Sequence, residues 1–135
     1  MLRPAGQALA WLAALSALAA ALSCAADLHH AGNDTLVVQA WRMYGLFLCA
    51  GLFAVLARRP DGNGAIWALT IANKLALTVT AIYFLGKGGV AEAGKTVAWD
   101  GGLTLTLIAA FLLCALGARA RQEPAAANTR HVSST

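Results

Sequence analysis

The chain has 135 residues, of which 59 % are hydrophobic and only 12 % charged, with a net charge of +4 and a mean hydropathy of +0.65. An ordinary soluble domain carries about 25 % charged residues, so a water-soluble globule is excluded, and the length allows a single domain. The basic balance does not imply nucleic acid, because the cations are segregated along the chain in the pattern of membrane topology.

Four apolar blocks occupy residues 8–26, 36–57, 65–85 and 97–118. Each is close to the ~20 residues that cross a ~30 Å hydrocarbon core as helix. They predict an all-α, four-helix transmembrane bundle over residues 1–121 whose partner is the lipid bilayer. The first block follows Arg3 and has two readings. Ala21-Leu22-Ser23-Cys24 is a degraded lipobox and Ser23-Cys24-Ala25 a loose small-x-small site, which suggests a cleaved signal peptide. Against that, the block is long for a signal sequence. Ala13, Ala17 and Ala21 also form a four-residue repeat, which lets helices approach closely in lipid, so a retained helix is expected.

Asp27, His29, His30 and Asp34 lie in the loop that follows. Imidazole and carboxylate are ligands for zinc-like ions, but this spacing matches no metal pattern, and a solvated loop is expected. In the second block Gln39, Arg42, Gly45 and Cys49 recur at three- and four-residue steps. Arg42 lies six residues inside, about 9 Å at the helical rise. Arg58-Arg-Pro-Asp-Gly-Asn-Gly64 is punctuated as an interhelical turn. The third block carries Thr70, Lys74 and Thr78 as a polar stripe with Asn73 beside it. Lys74 stands near the middle of the span, where a charge costs about 2.5 to 3.5 kcal/mol even on lenient insertion scales.

Residues 89–96, Gly-Val-Ala-Glu-Ala-Gly-Lys-Thr, match the phosphate-binding pattern GxxxxGK[ST]. That loop needs a preceding strand and an exposed following helix so that backbone amides cradle phosphates. Between two membrane spans it has neither, so no nucleotide is expected. Asp100 opens the fourth block, with Thr104 one turn on. The tail at 122–135 lacks apolar periodicity and reads as disordered and cytoplasmic. Arg3, Arg58, Arg59, Arg119, Arg121 and Arg130 fall on one side of four crossings, which predicts cytoplasmic termini in the plasma (inner) membrane.

The polar residues of the last three spans are expected to turn inward, because lipid offers them no hydrogen-bond partner. Arg42, Lys74 and Asp100 in one shared interior would sum to +1 and suit an anion or a polar headgroup. The competing reading pairs Arg42 with Asp100 at the interface and lets Lys74 snorkel to water. Trp41, Trp67 and Trp99 read as interface anchors. Cys49 and Cys114 both fall in the cytoplasmic half, where a bridge is geometrically conceivable. Small apolar filler is the ordinary role of such cysteines.

Residues 41–51, Trp-Arg-Met-Tyr-Gly-Leu-Phe-Leu-Cys-Ala-Gly, and 67–74, Trp-Ala-Leu-Thr-Ile-Ala-Asn-Lys, resemble the DoxX-like group of small bacterial four-helix membrane proteins. The resemblance carries Arg42 and Gly45. It implies a place near quinone-coupled thiol or thiosulfate oxidation or in a membrane redox complex, although no paired-cysteine motif is present. The expected function is non-enzymatic and needs no cofactor. It is binding of an amphiphilic or anionic small molecule, or service as a small subunit of a membrane complex. The ligand-binding residues would be Gln39, Arg42, Thr70, Asn73, Lys74, Thr78, Asp100 and Thr104. The alternatives are a component of a quinone-linked oxidoreductase using Cys49 or Cys114, and a small homodimeric transporter.

Overall fold

Each apolar block forms a helix, and each helix runs past its block. The computed structural model describes residues 2–132, with side chains for residues 2–120. The helices are α1 (Leu2–Asp27), α2 (Leu36–Arg58), α3 (Gly64–Lys87) and α4 (Ala93–Val132), with a 3-10 turn at Leu28–His30 after α1. The expectation of a disordered tail at 122–135 falls outside the residues whose side chains are described. Hydropathy marks where chain meets lipid, whereas helices end where backbone groups find other partners. So α1 starts six residues before its apolar block and takes in Arg3, Gly6 and Gln7. Pro4 is tolerated there because a first-turn residue has no helical N–H bond to lose.

All four helices are long and apolar enough to cross a membrane. Only 22 to 28 % of each apolar window is buried inside the protein, so side chains such as Leu12, Leu15, Leu22, Leu69 and Leu105 face outward. An exposed apolar surface of that extent belongs in hydrocarbon. Packing places the helices in the order α2, α1, α4, α3, with α1 and α4 central, and α2 and α3 only thinly in contact.

Lipid tails are as apolar as leucine, so association in a bilayer depends on close packing of small residues. The core follows that rule. Ala10, Ala13, Ala14, Ala17 and Ala21 of α1 are buried, and α2 contributes Ala50, Phe53, Leu56 and Ala57. Leu103, Leu107 and Ala110 of α4 complete the cluster. The three alanines singled out by their spacing therefore do face partners. At the arginine-bearing end, hereafter the basic end, Arg3 forms an ion pair with Asp61 of the α2–α3 turn. Gln7 Nε2 donates to the Ala57 carbonyl at 3.0 Å, and Trp67 Nε1 to that of Pro60 at 3.1 Å. Arg3 and Gln7 thus tie α1 to the turn and the end of α2, and Trp67 ties α3 to the same turn.

Candidate functional site

On α3 the buried face runs through Trp67, Thr70, Lys74 and Ala81, at steps of three, four and seven. The polar stripe therefore coincides with the helix's inward face. Lys74 is 3 % exposed, and its Nζ donates to Asp100 Oδ1 of α4 at 2.8 Å. By helical rise Lys74 stands about 15 Å into α3, and Asp100 about 10 Å from the opposite end of the molecule. The lysine's four-carbon stem closes the difference in depth. Long cationic side chains in lipid usually extend toward water; this one extends to a carboxylate inside the protein.

The threonines on these faces donate to their own helices. Thr70 Oγ1 donates to Ile66 O and Trp67 O, Thr78 Oγ1 to Lys74 O, and Thr104 Oγ1 to Asp100 O. Each hydroxyl has one proton, so after that bond its oxygen is left to accept. The seam thus combines a compensated ion pair with hydroxyl oxygens that can only accept. Thr70 and Thr104 are buried beside the pair's residues, and Thr78 is partly buried, its methyl 3.5 Å from where a Cβ on Gly101 would stand.

Arg42 does not join this interior, which corrects the reading that put three charges in one site. It pairs with Glu92 of the α3–α4 connection, Nη1 to Oε2 at 2.8 Å, and the two side chains are 41 % and 52 % exposed. The interface pair of α2 is thus Arg42–Glu92 and not Arg42–Asp100, and the interior is neutral where +1 was expected. Desolvation explains the choice: a buried ammonium needs a carboxylate far more than an exposed guanidinium does. Asn73 is exposed and Gln39 only partly buried, so neither faces the pair closely. In the sequence Glu92 counts only as one of the charges opposite the arginine-bearing side, and nothing there marks it as the partner of Arg42. Its backbone takes φ +61, a left-handed value unusual for a non-glycine residue. Lys95 Nζ approaches the other carboxylate oxygen at 3.9 Å. An ion pair this exposed is worth at most about 1 kcal/mol and is screened by salt. Arg42→Gln should therefore cost less than about 1 kcal/mol in low-salt unfolding and nothing measurable in high salt.

The remaining motifs resolve locally. In residues 89–96 the first part is a turn, and α4 begins at Ala93. No strand precedes it, as the look-alike reading requires. Among the described residues no cluster of three or more His, Cys, Asp or Glu side chains forms, and Asp27, His29, His30 and Asp34 are exposed. All three thiols are free. Cys114 is buried against α1, with its Sγ 2.6 Å from where a Cβ on Gly6 would stand. Elsewhere, a shallow groove of about 220 Å³ between α1 and α4 is lined by Leu12, Ser16, Trp99 and Thr106 among others, away from the Lys74–Asp100 pair.

Comparison with protein-family models, with curated proteins and with solved structures finds no match to this chain. Fold and site together define a class: an all-helical chain with four helices able to span a bilayer and one ion pair buried between two of them.

Proposed function

We propose that the chain is a multi-pass protein of the plasma (inner) membrane, with both termini and the α2–α3 turn cytoplasmic. In this reading it does no chemistry of its own. It binds an amphiphile in the polar interior of α2 to α4, or acts as a small subunit of a larger membrane complex, in keeping with the DoxX-like resemblance. The topology rests on the arginines at 3, 58, 59 and 119.

The observation that carries the binding reading is the Lys74–Asp100 pair, 3 % and 12 % exposed at its side chains. A buried ion pair is commonly no more stable than apolar residues of the same volume, and often less so by 1 to 4 kcal/mol. Ionisable groups within spans mark functional sites by default. The thin contact between α2 and α3 is where a guest could reach that seam. Because the pair is neutral overall, the fitting head group is uncharged. Because the threonine oxygens only accept, that head should donate hydrogen bonds.

A fluorescent monoacylglycerol, whose hydroxyls donate, is the probe. In detergent it should bind the wild-type protein and be lost from Lys74→Met/Asp100→Leu, a variant that keeps the interior filled and neutral. Equal binding by both proteins, at matched helix content, would remove the reading.

A further inference from the structure

Among the residues with described side chains, the excess positive charge lies at one end of the molecule. Arg3, Arg58, Arg59 and Arg119 stand there against Asp61. Elsewhere the charges cancel: Lys74 with Asp100 in the interior, and Arg42, Lys87 and Lys95 against Asp27, Asp34 and Glu92 at the opposite end.

The two ends also treat their cations differently. At the opposite end Arg42 and Lys95 lean on Glu92, at 2.8 and 3.9 Å. Lys87 Nζ lies 4.9 Å above the Tyr83 ring. At the basic end Arg3 takes Asp61, while Arg58, Arg59 and Arg119 are exposed and have no ion-pair partner among the described residues.

Arg3 also fixes where those three stand. Its backbone nitrogen comes within 2.9 Å of a Cβ built on Gly117, two residues before Arg119. Its guanidinium meets Asp61, two residues after Arg59. Arg3 is thus a strut between the end of α4's span and the α2–α3 turn. The Arg59 N–H, bonded to Val55 O at 2.9 Å, holds the turn against α2. Arg58 and Arg59 at the end of α2 and Arg119 of α4 are thereby held, exposed, at the same end of the molecule, next to where the apolar blocks at 36–57 and 97–118 stop. Lipid phosphates lie at that level, and arginine pairs with phosphate oxygens in a two-pronged fashion that lysine does not reproduce.

We propose that Arg58, Arg59 and Arg119 form a binding face for the head groups of anionic phospholipids. The proposal rests on the chain lying in a bilayer and not on an amphiphile site at Lys74–Asp100, which the test leaves intact.

The test uses the full-length protein reconstituted in phosphatidylcholine bilayers. Spin-labelled phosphatidylglycerol and spin-labelled phosphatidylcholine report which lipid the protein retains at its surface. The wild type should favour phosphatidylglycerol by about fivefold per arginine at low salt, and the preference should fall as salt rises. Arg58→Gln/Arg59→Gln/Arg119→Gln should lose it, and the corresponding triple lysine variant should keep part of it. A glutamine variant with unchanged preference overturns the proposal. So does displacement of the labelled lipid by soluble glycerol phosphate, which would reveal a site for free phosphate. If the glutamine variant does not fold, the wild type decides alone: a preference indifferent to salt also overturns the proposal.

Discussion

Replacing Asp100 with leucine is expected to destabilise the protein by about 3 to 5 kcal/mol, because it leaves the Lys74 ammonium buried without a counter-charge. Lys74 is 3 % exposed and its Nζ has Asp100 as its hydrogen-bonded partner at 2.8 Å. Lys74→Met should cost a comparable amount by stranding the carboxylate, somewhat less because Asp100 retains 12 % side-chain exposure. Combining the two changes should reverse the sign. With both charges gone and the volume kept, the double variant is expected to match the wild type or exceed it by about 1 to 4 kcal/mol. Unfolding in mixed micelles measures all three, and the coupling term of the double-mutant cycle is the decisive quantity. A double variant that costs the sum of the singles would mean that the two side chains do not depend on each other. This experiment also separates folding from function: the double variant should be a sound protein that no longer holds an amphiphile.

The helices were legible because their signal is coarse. Four runs of about twenty apolar residues require only a count, and the Thr70–Lys74–Thr78 stripe correctly gave α3's inward face because polar groups avoid lipid. The alanine repeat at 13, 17 and 21 was legible on the same physical basis, and all three are buried. Pairing between helices was not legible. Arg42, Lys74, Asp100 and Glu92 admit several matchings, and choosing among them requires helix order. In the observed order, α2, α1, α4, α3, the α2 helix stands away from Asp100 while α3 packs on it. Nothing in hydropathy encodes that order. It depends on which small residues allow two backbones to meet, and two of those, Gly6 and Gly117, lie at the margins of the apolar blocks. The charge of Glu92 is legible as part of the end opposite the arginines, but its pairing with Arg42 across 50 residues is not.

Those two glycines are where the second large effect is expected. A Cβ added at Gly6 would stand 2.6 Å from Cys114 Sγ, 2.8 Å from Ala110 O and 3.0 Å from Cys114 N. At Gly117 it would stand 2.9 Å from Arg3 N and 3.0 Å from Arg3 Cβ. Backbone atoms are among the obstacles at both sites, so α1 and α4 must separate to admit even a methyl group. Overpacking of this kind costs about 1 to 3 kcal/mol. Gly6→Ala and Gly117→Ala should each fall in that range, and leucine at either position should exceed it. Gly45 and Gly51 of α2 supply the contrast, since nothing lies within 4 Å of a Cβ at either. There alanine should be neutral or stabilising by up to about 1 kcal/mol, the helix-propensity difference. Denaturation in micelles would show whether the four glycines divide in this way. If Gly6→Ala proved as harmless as Gly45→Ala, α1 and α4 would not meet as closely as described. The Arg3 strut would then lose its footing on Gly117, because the same crossing that buries Cys114 also delivers Arg3 to the α2–α3 turn. Lipid selectivity at the basic end should therefore decline in Gly117→Leu even though no arginine has been changed.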